Sequence, residues 1–444
     1  MRNGYLGMNE VVNWVKNKIK YIVPSFVTMV LFLIVLFSKK IYPFGNETID
    51  YYDMAQQIAA FYYHVYDALH GDKAFFFDWY SALGTNMAMS TSGCSNISIF
   101  NLFFLFIKRE ALLESLSIFN MIKMMCMSAT MFFFLHRSFK APYFVELLMS
   151  VGYAFSGFVL VLYITNQWMD IAVLFPLIVY FAGKAVTKRE WIGYLITLTL
   201  AVINSYYISL MIMIFLFLAV GVFSFYDYVF TKRGSRKEYV RKYDLVPFAT
   251  ATVFSVLISA FILLPQLYQT LSSARFKNEN GGGILSTYLE IASKVNGAYT
   301  TRYWSLLMAS LPVAIILTGL LKRKKSKKSV FIVLTLILLM VLELFFESIN
   351  LIWHFGSYIQ YPIRNGFMIN FVFGAVACFF AQGNELEAKA DESKEKADES
   401  REKSDESKAN VKNKKFGFVI GIPVCSILCV FAKHNAMFYI LTDT

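Results

Sequence analysis

The chain has 444 residues, of which 57% are hydrophobic and only 16% are charged. A soluble domain carries about 25% charged residues, and the mean hydropathy here is +0.51, so most of the chain must face lipid. The net charge of +12 taken alone would suggest nucleic-acid binding. The positions of the charges argue against it, because the lysines and arginines fall in short runs between apolar segments, as in the cytoplasmic loops of membrane proteins.

Apolar runs of about the length that crosses a bilayer follow one another along the chain. The predicted fold class is therefore an all-α polytopic membrane protein of about eleven transmembrane helices. The membrane domain is expected over 1–383, a charged linker over 384–415, and a last helix with a short outer tail over 416–444. The predicted spans are 21–38, 115–135, 143–164, 168–184, 191–206, 207–226, 245–265, 304–321, 329–346, 362–382 and 416–433.

Four basic runs, at 136–140, 184–189, 232–242 and 322–328, set the orientation. All four are cytoplasmic if the N-terminus is inside and the segment 96–107 does not cross. That segment is too short to span and is predicted to be a re-entrant or interfacial helix. Residues 39–114 then form a large first extracytoplasmic loop. The linker at 384–415 repeats the heptads KADESKE, KADESRE and KSDESKA without large apolar residues, which indicates a solvated helix or tether on the cytoplasmic side.

The first loop contains a predicted amphipathic helix over residues 50–69. At 100° per residue, its polar side chains gather on one face and its apolar side chains on the neighbouring face. Such a helix lies along the membrane surface, with its carboxylates toward a cleft or toward water. The polar face consists of Asp50, Asp53, Gln57, His64 and Asp67.

The other predicted extracytoplasmic span ends are also polar. Asp170 opens one span, Asn204 and Tyr206 stand in a tight turn between two others, and Arg364 leads into the tenth. Glu343 and Glu347 lie near the outer end of the ninth span, where they join this cleft or pair with Arg364, since an intramembrane carboxylate is a functional candidate. Glu146, near a cytoplasmic end, is expected to be solvated or paired with Lys140.

Motifs of soluble catalytic domains are missing from the sequence. There is no Walker A loop, dinucleotide fingerprint, HExxH or CxxC pair. ATP-driven transport and nucleotide-sugar chemistry on a cytoplasmic domain are therefore disfavoured.

A set of motifs follows in order over about residues 25–380. In the first loop these are Asp53-Met54-Ala55-Gln56-Gln57 with Phe61, Phe75-Phe76-Phe77 with Gly84, and Ser98-Ile99-Phe100-Asn101-Leu102. Later come Tyr153-Ala154-Phe155-Ser156-Gly157, Gln167-Trp168-Met169-Asp170 with Phe175-Pro176-Leu177-Ile178, Asn204-Tyr206-Tyr207, and Pro362 with Arg364. Together they resemble the bacterial YfhO-type membrane proteins, with Ile99 standing where that family has a proline.

The resemblance implies a glycosyltransferase of the GT-C architecture. Such enzymes transfer a sugar from a polyprenyl-phosphate carrier to an acceptor on the outer face, and in bacilli YfhO-type proteins are associated with decorating teichoic acids. The expected partners are a lipid-linked sugar, a cell-surface polymer acceptor and membrane lipid. Relatives commonly continue into a large extracytoplasmic domain, which this chain, ending soon after residue 433, is not expected to carry.

A polyprenyl-phosphate sugar is already activated, so the enzyme must position a hydroxyl, take its proton and neutralise the departing phosphate. Asp53 is the predicted general base, with Asp50 as the alternative on the same face. Asp170 orients the acceptor or holds a divalent cation with Asp53, the one cofactor considered. Phosphate binding is assigned to Arg364, with Arg302 as second candidate, and hydrogen bonds to sugar or acceptor are assigned to Gln57, His64, Asn204 and Tyr206.

Two other classes of function stay open. A lipid-linked-sugar flippase or solute transporter would carry polar residues to the midplane or show broken helices in matching halves, and the sequence has no clear inverted repeat. A non-catalytic membrane scaffold would keep its partner binding when Asp53 is replaced by Asn, whereas an enzyme would lose sugar transfer.

Overall fold

The structure is a computed structural model that describes residues 8–80, 84–86, 97–230, 244–272, 310–321, 325–354 and 364–382. The described chain is mainly α-helical, with a short β-hairpin that pairs Phe77–Asp78 with Thr85–Asn86. The helices are α1 Met8–Ser38, α2 Ala59–Leu69, α3 Leu112–Ser138, α4 Tyr143–Ala154, α5 Gly157–Leu162, α6 Gln167–Lys188, α7 Ile192–Asn204, α8 Tyr206–Phe230, α9 Leu245–Ile258, α10 Ala260–Ser272, α11 Ser310–Leu321, α12 Lys327–Phe345, α13 Glu347–Trp353 and α14 Gly366–Ala381.

Five stretches of helix in the described residues are long and apolar enough to cross a membrane. They are Ile19–Ser38, Arg109–Ser138, Tyr143–Thr165, Gln167–Lys188 and Tyr206–Phe230, and a bent pair formed by α9 and α10 would make a sixth. The predicted spans at 191–206, 304–321 and 362–382 contain the shorter apolar helices Ile192–Asn204, Leu311–Leu321 and Gly366–Ala381. The chain is thus an all-α membrane protein, while the count of eleven stays a prediction. The linker at 384–415 and the span at 416–433 lie outside the described residues.

Two predicted spans are interrupted in the structure. The span at 143–164 divides at Phe155 and Ser156, before the helix resumes at Gly157. The span at 245–265 bends by 69° between Ile258 and Ala260. At that bend the Ser255 and Ser259 hydroxyls each donate to the carbonyl four residues earlier, at 2.8 Å, a contact that often bends helices.

The long helix α3 lies inside the bundle, packed against α1, α4 and α6. Most buried apolar side chains of α3 from Met124 onward belong, with those of α6, to the main apolar core, which extends to α7, α8 and α14. A second apolar cluster lies under the first loop, where side chains of α2, the loop helix, pack on Phe104 and on Leu116 and Phe119 of α3. The first loop is therefore docked on the bundle.

The segment 96–107 contains a 3-10 helix, Ile99–Phe106. Eight residues rise only about 16 Å in this geometry, well short of the roughly 30 Å hydrocarbon layer. Side chains three residues apart eclipse in a 3-10 helix, and Ile99, Leu102 and Leu105 form one exposed apolar stripe while Asn101 and Phe104 are buried. This is the arrangement of a surface helix rather than of a span.

Candidate functional site

A buried ion pair lies in the first turn of α6. The Lys123 ammonium, from the middle of α3, is 2.6 Å from Oδ1 of Asp170, and the two side chains are 0% and 5% exposed. The other carboxylate oxygen of Asp170 accepts from the Ser98 hydroxyl at 2.5 Å and from the Asn204 amide at 3.2 Å. Both oxygens of Asp170 are thus engaged, by side chains from α3, α7 and the first loop.

The same lysine joins the ion pair to a second group of polar side chains. Lys123 donates to the backbone carbonyl of Asn166 at 3.0 Å, and the Asn166 amide donates to Asn120 at 3.0 Å. The Tyr62 hydroxyl, from the loop helix α2, donates to the Asn166 side-chain carbonyl. We call this set the Asp170 network: Tyr62, Ser98, Asn120, Lys123, Asn166, Asp170 and Asn204.

The loop helix begins differently from the prediction. Residues Met54–Ile58 form a π-helical turn that continues into α2, and Asp53 stands immediately before it. The preceding residue, Tyr52, has a positive φ of 50°, a strained conformation for a bulky side chain. Both π turns and such outliers cluster at functional sites, so the local backbone favours a functional role for Asp53.

Asp53 and Gln57 are half-buried on this turn. The turn packs against the 3-10 helix Tyr163–Thr165, the residues directly before Asn166. Asp50 lies just upstream, where its carboxylate accepts from the Thr48 hydroxyl. The turn that follows Asp53 is therefore packed against the chain segment that leads into the Asp170 network.

The C-terminal half of the loop helix has a different environment. His64 is 3% exposed, with Nε2 3.3 Å from the Phe75 carbonyl oxygen. Arg109 donates to both oxygens of Asp67, at 2.7 and 3.1 Å, and Lys73 lies 3.6 Å away. The hydrogen bonds from Arg109 lower the pKa of Asp67. These contacts tie the loop to itself and to the start of α3.

Arg364 lies against the same end of α6. Its guanidinium carbon is 5.3 Å from the ring centre of Trp168 and 5.1 Å from that of Tyr207. Trp168 is two residues before Asp170, and Tyr207 follows the predicted tight turn, in which Ser205 alone separates α7 from α8. Tyr206 is buried at the start of α8. The chain from Tyr163 to Asp170 is thus contacted both by the helix that carries Asp53 and by Arg364.

Of the residues singled out in the sequence, Asp170 and Asn204 are in direct contact. Arg364 contacts Trp168, two residues before Asp170, and the turn after Asp53 contacts Tyr163–Thr165. His64 instead faces a carbonyl oxygen of the first loop, and Arg302 lies outside the described residues. Sequence reasoning missed Lys123. It stands three residues after Asn120, so the two side chains share one helix face, and a lone cation inside an apolar span is the signal that would have identified it.

The prediction for Glu146 is wrong in its surroundings. This carboxylate is 1% exposed and accepts from Nδ1 of His136 at 2.7 Å, because α3 and α4 pack together at this end. In the described part of the chain, no three His, Cys, Asp or Glu side chains cluster so as to hold a metal ion.

The comparisons with known proteins give one family. The family model described as "Bacterial membrane protein YfhO" matches residues 25–444, almost the whole chain. A search of curated proteins and a search of solved structures found no significant match. The chain therefore belongs to the YfhO family of bacterial membrane proteins.

Proposed function

We propose that this protein is a membrane glycosyltransferase that moves a sugar from a polyprenyl-phosphate carrier to a cell-surface acceptor, such as a teichoic-acid-type polymer, on the extracytoplasmic face. The observation that carries the proposal is the meeting, along Tyr163–Asp170, of the helix that bears Asp53 and the aromatic rings that hold Arg364. This reaction requires a base and a phosphate-binding cation, and both candidates lie against this one chain segment.

The position of the site along α6 supports an outer-face reaction. Asp170 lies in the first turn of this helix, and the basic residue Lys188 lies in its last turn. At 1.5 Å per residue the two are about 27 Å apart, nearly the thickness of the hydrocarbon layer. Since basic turns favour the cytoplasm, the Asp170 network belongs at the opposite interface.

In the proposed reaction the acceptor hydroxyl oxygen bonds to the anomeric carbon as the bond from that carbon to the phosphate oxygen breaks. Asp53 takes the hydroxyl proton, with Asp50 as the alternative base. The bond electrons leave with the polyprenyl phosphate, whose added negative charge Arg364 binds through its guanidinium. A single displacement of this kind inverts the configuration at the anomeric carbon.

Asp170 takes a positioning role in this proposal rather than that of a base. Lys123 occupies one of its oxygens, and Ser98 and Asn204 occupy the other. A divalent cation bound by Asp170 would have to displace the lysine. We therefore propose that the Lys123–Asp170 pair positions Asn204 and, through Ser98, the 3-10 helix Ile99–Phe106 around the reacting groups.

One observation favours a flippase as a second candidate. The 69° bend between α9 and α10 is a broken helix of the kind that lines substrate sites in transporters. A flippase would carry the loaded carrier across the bilayer without breaking the bond between sugar and phosphate.

Purified protein in proteoliposomes, supplied with a polyprenyl-phosphate hexose labelled in the sugar and with a teichoic-acid-type polymer, separates the two candidates. The glycosyltransferase transfers label to the polymer and releases one unloaded polyprenyl phosphate for each sugar. A flippase moves the labelled carrier between leaflets and leaves the polymer unlabelled. If folded protein neither transfers the label nor moves the labelled carrier between leaflets, both functions are contradicted.

A further inference from the structure

A second buried carboxylate lies outside the Asp170 network. Glu343, near the end of α12, and Asn365, directly before α14, are 1% and 0% exposed. The side-chain nitrogen of Asn365 donates to both carboxylate oxygens of Glu343, at 2.8 Å each. The pair thus joins two helix ends, where the chain leaves α12 through the extended residue Phe346.

The pair has acceptor capacity to spare. A carboxyl group can accept more than two hydrogen bonds, and a single amide nitrogen serves both oxygens of Glu343. The side-chain oxygen of Asn365 is buried without a hydrogen-bond partner. Among the residues that the structure describes, no lysine, arginine or histidine lies within 4.0 Å of the Glu343 carboxylate. Buried acceptors left unserved are costly, so the pair needs donors.

The neighbouring residue indicates where those donors come from. Asn365 follows Arg364, whose guanidinium lies against Trp168 and Tyr207. Arg364, the cation assigned to the phosphate in the proposed function, is therefore the chain neighbour of Asn365, which in turn binds the Glu343 carboxyl group. A sugar phosphate has this pattern of groups, with hydroxyl donors a few bonds from a negatively charged phosphate.

We infer that Glu343 and Asn365 form a subsite for hydroxyl groups of the donor sugar, next to the phosphate bound by Arg364. The inference rests on the proposed function, because it takes the ligand to be the sugar of a polyprenyl-phosphate hexose. The sugar hydroxyls donate to the free lone pairs of Glu343 and to the unserved oxygen of Asn365. The subsite therefore distinguishes a loaded carrier from an unloaded one.

Equilibrium binding to the full-length protein tests this without any need for transfer. The two probes are polyprenyl-phosphate hexose and bare polyprenyl phosphate. The wild-type protein is expected to bind the loaded carrier on the order of 10- to 100-fold more tightly, as two hydrogen bonds to buried acceptors allow. Glu343→Gln and Asn365→Leu are each expected to remove most of that difference and to leave the Kd of the bare carrier within about threefold.

Glu146→Gln is the matched control, because it makes the same change at a carboxylate that is equally buried but lies at the basic end of the bundle. This variant is expected to keep the wild-type preference for the loaded carrier. Retained binding of the bare carrier shows that each variant is folded. Equal affinity of the wild-type protein for both probes, or an undiminished preference in Glu343→Gln, would overturn the inference.

The result is separable from that of the proposed function. Sugar-dependent binding without transfer to any polymer would leave the subsite standing and would count against the transferase. Transfer with an unchanged preference in both variants would count against the subsite alone.

Monodeoxy hexose carriers sharpen the assignment. A hydroxyl that donates to Glu343 is expected to matter in the wild-type protein and to lose its effect in Glu343→Gln, so that the two changes are non-additive. Strict additivity for every hydroxyl of the hexose would contradict a direct contact.

Discussion

Breaking the buried ion pair between Lys123 and Asp170 has a predictable cost. Lys123→Met keeps a side chain of similar length but leaves the buried Asp170 carboxylate without its cation. Removing one partner of a buried pair costs about 3–5 kcal/mol. At roughly 2 °C per kcal/mol for a large chain, we expect the unfolding temperature to fall by about 6–10 °C.

The double variant Lys123→Met/Asp170→Asn separates the pair from its individual parts. It removes both charges and keeps an oxygen that can accept from Ser98. We expect this variant to be more stable than Lys123→Met alone, by about 2 kcal/mol, because the stranded charge is gone.

The assay is thermal unfolding of purified protein in one detergent at one scan rate, with loss of the monodisperse fraction as the readout. Lys184→Met is the matched control, because Lys184 pairs with Glu190 at 2.7 Å on the surface, where the side chains are 28% and 54% exposed. Exposed pairs contribute about 0–1 kcal/mol, so this variant should unfold within about 2 °C of wild type. Equal losses in the two lysine variants, or additive losses in the double variant, would refute the reasoning.

Three further predictions concern Ser98, Arg364 and the Asp67–Arg109 pair of the first loop. Ser98→Ala removes the hydrogen bond to Asp170 and the cap on the Phe100 amide, and is expected to cost about 1–3 kcal/mol and to speed amide exchange across the 3-10 helix. Arg364→Lys keeps the charge but loses the planar guanidinium fork, so we expect equilibrium titration to show at least tenfold weaker binding of polyprenyl phosphate. Equal affinity of the variant and the wild type would exclude Arg364 as a phosphate-binding residue. Because Arg109 lowers the pKa of Asp67, this contact stabilises the loop above the ordinary carboxylate pKa and is lost as pH falls through the lowered value. Asp67→Asn should therefore increase the amide exchange rate of the loop helix at neutral pH and reduce the change in that rate as pH falls. The rates are corrected for intrinsic exchange, and an unchanged pH dependence would contradict this prediction.

The polar span ends were the most informative part of the sequence. Charged and amide side chains are costly in lipid, so Asp170, Asn204 and Arg364 could be assigned to one end of the bundle from the spacing of apolar runs alone. The structure brings Asp170 and Asn204 within hydrogen-bonding distance and sets Arg364 beside Trp168. The hydropathy of whole segments was enough to assign these residues to the same end of the bundle.

What the sequence could not provide depends on which helices are neighbours. The mean hydropathy of the span at 115–135 conceals the single Lys123, so the sequence did not predict its ion pair with Asp170 on α6. Glu146 has Lys140 nearby in sequence, yet it pairs with His136 across the α3–α4 contact. The turn after Asp53 is π-helical and packs against Tyr163–Thr165. The 100° projection assumes a regular helix from residue 50, so it missed this turn and put His64 and Asp67, which are buried, on one polar face with Asp50 and Asp53.

The most direct test of the account is single-turnover sugar transfer by Asp53→Asn, compared with Asp50→Asn and with Asp72→Asn, a matched change at an exposed carboxylate of the same loop. General-base catalysis contributes about 10²- to 10⁴-fold. We predict a loss of that size in Asp53→Asn, with unchanged binding of the loaded carrier, and a wild-type rate in Asp72→Asn. A wild-type rate in Asp53→Asn, or an equal loss in Asp72→Asn, would contradict the account.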